Sequence, residues 1–95
     1  MAIRETNPHD ASSESAETWA LHVLAWVLSE AGRADRFVAL TGIAPEDLRA
    51  RAGDPAVLDA VLGFLEGHEP DLFACAKYLG VAPIELITAR QRLSR

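Results

Sequence analysis

Asp54-Pro55-Ala56-Val57-Leu58-Asp59-Ala60-Val61-Leu62-Gly63-Phe64-Leu65-Glu66-Gly67 is the stretch on which the reading of this chain turns. Aspartate followed by proline is a helix start: the carboxylate can accept from unpaired first-turn amides, and a proline in that turn gives up no hydrogen bond. Leu58, Val61, Leu62 and Leu65 then recur at the i, i+3, i+4, i+7 spacing of one buried face, and Gly67 marks the exit. A helix beginning at Pro55, with Leu62 near the middle of its apolar stripe, is a wall that the rest of the chain must cover.

On either side of that helix the sequence echoes itself. Gly42-Ile43-Ala44-Pro45-Glu46-Asp47-Leu48 returns 38 residues later as Gly80-Val81-Ala82-Pro83-Ile84-Glu85-Leu86. Each copy carries the same physical content. Gly42 or Gly80 lets the chain leave a helix in the left-handed conformation, Ile43 or Val81 packs under the turn, Pro45 or Pro83 opens the next helix, and a leucine buries its first turn. The helix before the first copy is expected at 33–41, presenting Phe37, Val38 and Leu40. The helix before the second follows the break Gly67-His68-Glu69-Pro70 and is defined by Leu72, Phe73, Ala76 and Leu79. The two proline-initiated helices run over 45–51 and from Pro83 towards Leu93.

Upstream, a first helix starts at Ser13 or Ser15, either of which suits a cap, with Glu14 and Glu17 in its opening turn, and ends at Gly32. Trp19 and Trp26, seven residues apart, lie on one face as its largest core anchors. No segment alternates apolar and polar residues between turn signals, so no strand is expected. The fold class is therefore all-α: a compact orthogonal array of five to six short helices with two helix-turn-helix-like units. Residues 1–12, polar and carrying Asn7-Pro8, read as a flexible N-terminal arm, and 13–95 as a single helical domain.

Size and composition agree with one core. Ninety-five residues, 49% of them hydrophobic, with a net charge of −5, describe one soluble unit. A lone cysteine, Cys75, rules out an internal disulfide, the first nine residues lack the apolar core of a signal peptide, and the longest apolar run, Val23 to Leu28, is too short to span a membrane. A reducing cytoplasm is the expected location, with no membrane partner.

The sequence holds few marks of chemistry. His9, His22 and His68 stand in three unrelated settings, and one cysteine with scattered histidines does not make the four-donor spacing of a zinc site. Cys75 falls on the inner side of the fifth helix with no partner base in view, and buried free cysteines behave as small hydrophobes. There is no glycine-rich phosphate loop, no nucleophile elbow and little room for a pocket. No enzyme activity, no cofactor and no metal are expected.

Charge is unevenly spread. Residues 1–32 carry a net −4 and 54–71 a net −5, whereas 33–53 sum to +1 and 72–95 to +3. The last block, with Arg90, Arg92 and Arg95, is where an anionic partner would be favoured, although arginines in a last turn also suit the helix dipole. The second turn unit has the loose spacing of DNA-binding helix-turn-helix motifs. Its reading helix would present Pro83, Ile84 and Glu85 first, however, and a net negative domain opposes approach to phosphate.

Arg36-Phe37-Val38-Ala39-Leu40-Thr41-Gly42-Ile43, Pro45-Glu46-Asp47-Leu48-Arg49 and Asp54-Pro55 with Leu58, Val61, Leu62, Phe64 and Leu65 carry a resemblance. Over roughly Trp19 to Leu93 the chain resembles a family of small helical proteins from alphaproteobacteria known as domain of unknown function 3572. The resemblance implies a bacterial, cytoplasmic, all-helical protein and transfers no activity. The chain departs from the family at Ala44, where the family carries aspartate before the proline, and so forgoes a capping carboxylate. Two function classes follow: a non-enzymatic domain acting through protein contacts, with a homodimer or an unknown protein as partner, and nucleic-acid binding through the C-terminal unit with Arg90, Arg92 and Arg95 on phosphate. The apolar surplus that would mark the first class lies in Leu21, Leu24 and Leu28 of the first helix and Ile84 and Ile87 of the last.

Overall fold

The computed structural model describes residues 13–93, which form α1 (Ser13–Leu28), α2 (Ala31–Thr41), α3 (Pro45–Ala50), α4 (Pro55–Glu66), α5 (Glu69–Leu79) and α6 (Pro83–Leu93), with no strand among them. The expected arm at 1–12 lies outside the described residues. α4 is the element the others cover. Val57, Leu58, Val61, Leu62, Phe64 and Leu65 are all buried, more than a single stripe, so one neighbour cannot shield it. α1, α2, α5 and α6 all pack against it, and α1 in turn makes its broadest contact with α6.

The start of α4 follows from its sequence. Asp54 sits in extended backbone as the N-cap, its Oδ1 accepting from the Ala56 amide at 2.9 Å, with Pro55 in the first turn. Arg51 closes on the same carboxylate at 3.2 Å and so ties α3 to the cap. α3 itself begins differently. Ala44 takes N-cap geometry without a side chain that can accept, and the first-turn amides of α3 lose that partner.

The two echoed turns use different hydrogen bonds. At Gly80 (φ 75°) the amides of Gly80 and Val81 reach back to Lys77 and Ala76 at 3.2 and 3.0 Å, the paired closure of a Schellman motif. At Gly42 (φ 74°) only the glycine amide bonds back, to Val38 at 2.7 Å. Thr41 accounts for the difference, because its hydroxyl donates to the Phe37 carbonyl at 2.8 Å and accepts from the Ile43 amide at 3.2 Å. The second copy has Leu79 at that position and must satisfy Val81 through the backbone. Downstream of the turn, Glu85 reaches back to the Ala82 amide at 3.1 Å, half of a capping box, and α5 and α6 meet at 99°.

One boundary differs from the sequence reading. α1 stops at Leu28 rather than at Gly32, and Gly32 lies in the first turn of α2. Glu30 decides this by capping α2, accepting from the Arg33 amide at 2.9 Å. The guanidinium of Arg33 then turns back over α1, donating to the Trp26 carbonyl at 2.9 Å and to Ser29 Oγ at 3.1 Å while lying 3.8 Å from the centre of the Trp26 ring. A charge-assisted cap and a cation on an indole face fasten the same corner.

Core membership also shifts. Trp26 is buried, as are Ala16, Ala20, Val23, Leu24 and Val27, but Trp19 is only half-buried because it lines an open groove between α1 and α6. Phe37 is fully buried and meets Phe64 edge to face at 5.4 Å, joining α2 to α4. Leu40, expected inside, is 75% exposed, while Ile43 packs against the core beneath the turn as expected. No described helix is long and apolar enough to cross a membrane.

The bare cap of α3 gives a direct check. Ala44→Ser supplies the missing acceptor in backbone already shaped for it and should stabilise the protein by about 1 kcal/mol in urea unfolding. An unchanged midpoint would mean that the α3 terminus is satisfied by other groups.

Candidate functional site

The C-terminal arginines separate in the fold. Arg90 is committed to α4: its Nε donates to Asp59 Oδ1 at 3.0 Å and its Nη1 to Glu66 Oε1 at 2.9 Å. These hydrogen bonds, Asp59 first, hold its guanidinium even more firmly protonated than usual. The crossing depends on Gly63, between the two acids on α4, where a Cβ would stand 3.0 Å from Arg90 Cζ. Asp59, Gly63 and Glu66 at i, i+4 and i+7 thus form a slot for one guanidinium, a pattern present in the sequence that apolar periodicity passes over. Arg92 lies elsewhere, in a shallow groove of about 170 Å³ between α1 and α6 lined by Ser15, Ala16, Trp19, Glu85, Thr88 and Ala89. Arg95 falls outside the described residues. Of the expected trio, then, Arg90 is paired with α4 and Arg92 lines the groove between α1 and α6.

The titratable groups near α5 belong to its junction with α2. Arg36 Nη1 and His68 Nδ1 approach Asp71 Oδ2 at 2.9 and 3.0 Å, as ion-pair contacts outside hydrogen-bond alignment. Burial pushes the Asp71 carboxyl up, but Arg36 and then His68 outweigh it and hold the group below its ordinary 3.8. The Asp54 carboxyl is lowered too, by the Ala56 amide first and Arg51 second. Cys75, one turn beyond Asp71, is fully buried, and that burial pushes its thiol up to about 12. A thiol in this state supplies no nucleophile at neutral pH. His22 meets Trp19 edge-on at 6.0 Å, on the exposed side of α1. Among the described residues no three His, Cys, Asp or Glu side chains gather as a metal site would need.

What the fold does leave open is apolar. Of the five side chains in which a surplus was expected, Leu24 is buried, Leu28 and Ile87 pack against the core, and only Leu21 and Ile84 are exposed. The larger exposed groups lie on α5. Leu72, Cys75 and Ala76 take its inner face, so Phe73, expected inside, turns outward with 55% of its surface exposed. Tyr78 is 73% exposed, and Glu69, Pro70, Ala74 and Lys77 complete this outer face. The positions 69, 70, 73, 74 and 77 follow helical spacing, so they form a continuous strip rather than scattered exposures. Periodicity identifies the strip once Leu72 and Ala76 are fixed as the inner pair. Hydrophobicity alone assigns Phe73 to the core.

Six short helices, the fourth of them buried by its neighbours, with polar clusters spent on helix junctions, define a small all-α domain. Residues 13–95 match the family described as Protein of unknown function (DUF3572), and the chain belongs to that family. No curated protein and no solved structure matches the chain.

The lowered carboxyls set an acid dependence. Their contribution to stability is complete above the ordinary carboxylate value and is lost as pH falls through their lower folded-state values. Asparagine caps a helix as well as aspartate but does not titrate. As pH is lowered through and below the ordinary carboxylate value of 3.8, the unfolding midpoint of Asp54→Asn should fall less steeply than that of the parent, whose Asp54 charge is lost on the way down. Parallel slopes would contradict the role assigned to the Asp54 charge.

Proposed function

We propose that this domain is a non-enzymatic, cytoplasmic protein-contact module and that the outer face of α5 is its docking surface. The observation that carries the reading is the exposure of Phe73 in the middle of a strip whose other members are mostly small or charged, with Tyr78 exposed at the far edge of the same outer face. Aromatic side chains surrounded by polar ones are the usual composition of the centre of an interface, and their cost in water is recovered when a partner covers them. The polar groups of the domain, by contrast, serve its own joints: Asp54 and Glu30 cap helices, Asp71 holds Arg36, and Arg90 spans α4.

Phe73→Glu tests the reading without disturbing the core, because Phe73 is not part of it. Native-level affinity purification of the parent chain should recover a protein that the Phe73→Glu chain, with the same far-UV circular dichroism, does not. Identical recoveries from both chains would overturn the assignment to α5, and recovery of nucleic acid in a salt-sensitive manner would favour the C-terminal arginines instead.

A further inference from the structure

Resting on the assignment of α5 as a docking face, we infer that its occupant is a second copy of this chain, packed antiparallel through α5 with Phe73 at the twofold axis. The arrangement of charge along the strip selects this occupant. Glu69, Phe73 and Lys77 stand at i, i+4 and i+8, all exposed, with the acid at one end, the base at the other and the aromatic ring midway. A twofold axis at Phe73 that reverses the helix brings Glu69 of each copy beside Lys77 of the other, about 12 Å apart along each helix. The row is self-complementary. The same row placed in parallel would set acid against acid and base against base.

Helix geometry permits the contact. Two i, i+4 rows run side by side when helices cross at about 50°, the commonest packing class in globular proteins. Next to Phe73, Ala74 is small enough to let the partner helix approach, and at the end of the row Gly80 has open space where a side chain would stand. Each Phe73 ring then covers the other at the centre, with the two ion pairs at the rim. Rim charges of this kind select orientation more than they add affinity. The inner face of α5 is already used by Leu72, Cys75 and Ala76, so pairing requires no rearrangement of the domain.

Sedimentation equilibrium of the full chain, with charge-exchanged variants, decides the matter. The parent should dimerise, Glu69→Lys and Lys77→Glu should each raise the dimer dissociation constant about tenfold or more, and the double exchange should return it to within a few-fold of the parent. Phe73→Glu, which places two like charges on the axis, should be monomeric at every concentration. Circular dichroism melts of each variant keep loss of fold separate from loss of pairing. A parent that stays monomeric up to millimolar concentration overturns the second copy as occupant, while leaving the Phe73-dependent recovery of another protein as a separate result. A dimer indifferent to all three single exchanges overturns the α5 geometry.

Discussion

The dehydration of α4 is the constraint on which the structure depends. Six of its residues are buried, and they extend around the helix instead of lying along a single line. Apolar surface of this kind is worth roughly 25 cal/mol for each Å² removed from water, and a wide apolar helix realises that gain only when several neighbours surround it. The short turns at Gly67 and Gly80 serve this need, since each redirects the chain so that the next helix, α5 or α6, packs on α4. The less buried side of α4 includes a polar row, Asp59, Gly63 and Glu66, and Arg90 of α6 lies across it.

Charge has a similar economy. The chain carries 14 acids and 9 lysines and arginines, and much of the basic complement is engaged within the fold. Arg33 caps α1, Arg36 faces Asp71, Arg51 closes on Asp54 and Arg90 bridges two carboxylates on α4. Within the basic C-terminal block Arg90 is spent on the fold, while the aromatic exposure on α5 serves no internal joint. The proposed function rests on that surplus, because more than half of the Phe73 surface stands in water, where it gains nothing from burial.

Much of the fold was legible because its signals are local. Asp54-Pro55, the two Gly-x-Ala-Pro turns and the stripe from Leu58 to Leu65 each act within a few residues, and the helices they define are present with their expected order. The misreadings came where a local signal competed with another. Gly32 resembles a helix stop, yet the Glu30 carboxylate two residues earlier captures the Arg33 amide and moves the break. Phe73 resembles a core residue, yet the helical phase set by Leu72, Cys75 and Ala76 turns it outward. The candidate site was harder still. The separation of Arg90 from Arg92 depends on Gly63 opening α4 to a side chain 27 residues away in sequence, and no pattern within α6 reports that.

Residue-resolved amide hydrogen exchange across a protein concentration series tests the account most directly, because it reads the buried helix and the open face together. Exchange in 57–65 should be the slowest in the chain and independent of concentration, while amides around Phe73 and Lys77 should gain protection as concentration rises. Rapid exchange in α4, or protection of α5 that does not change with concentration while another surface becomes protected, would contradict it.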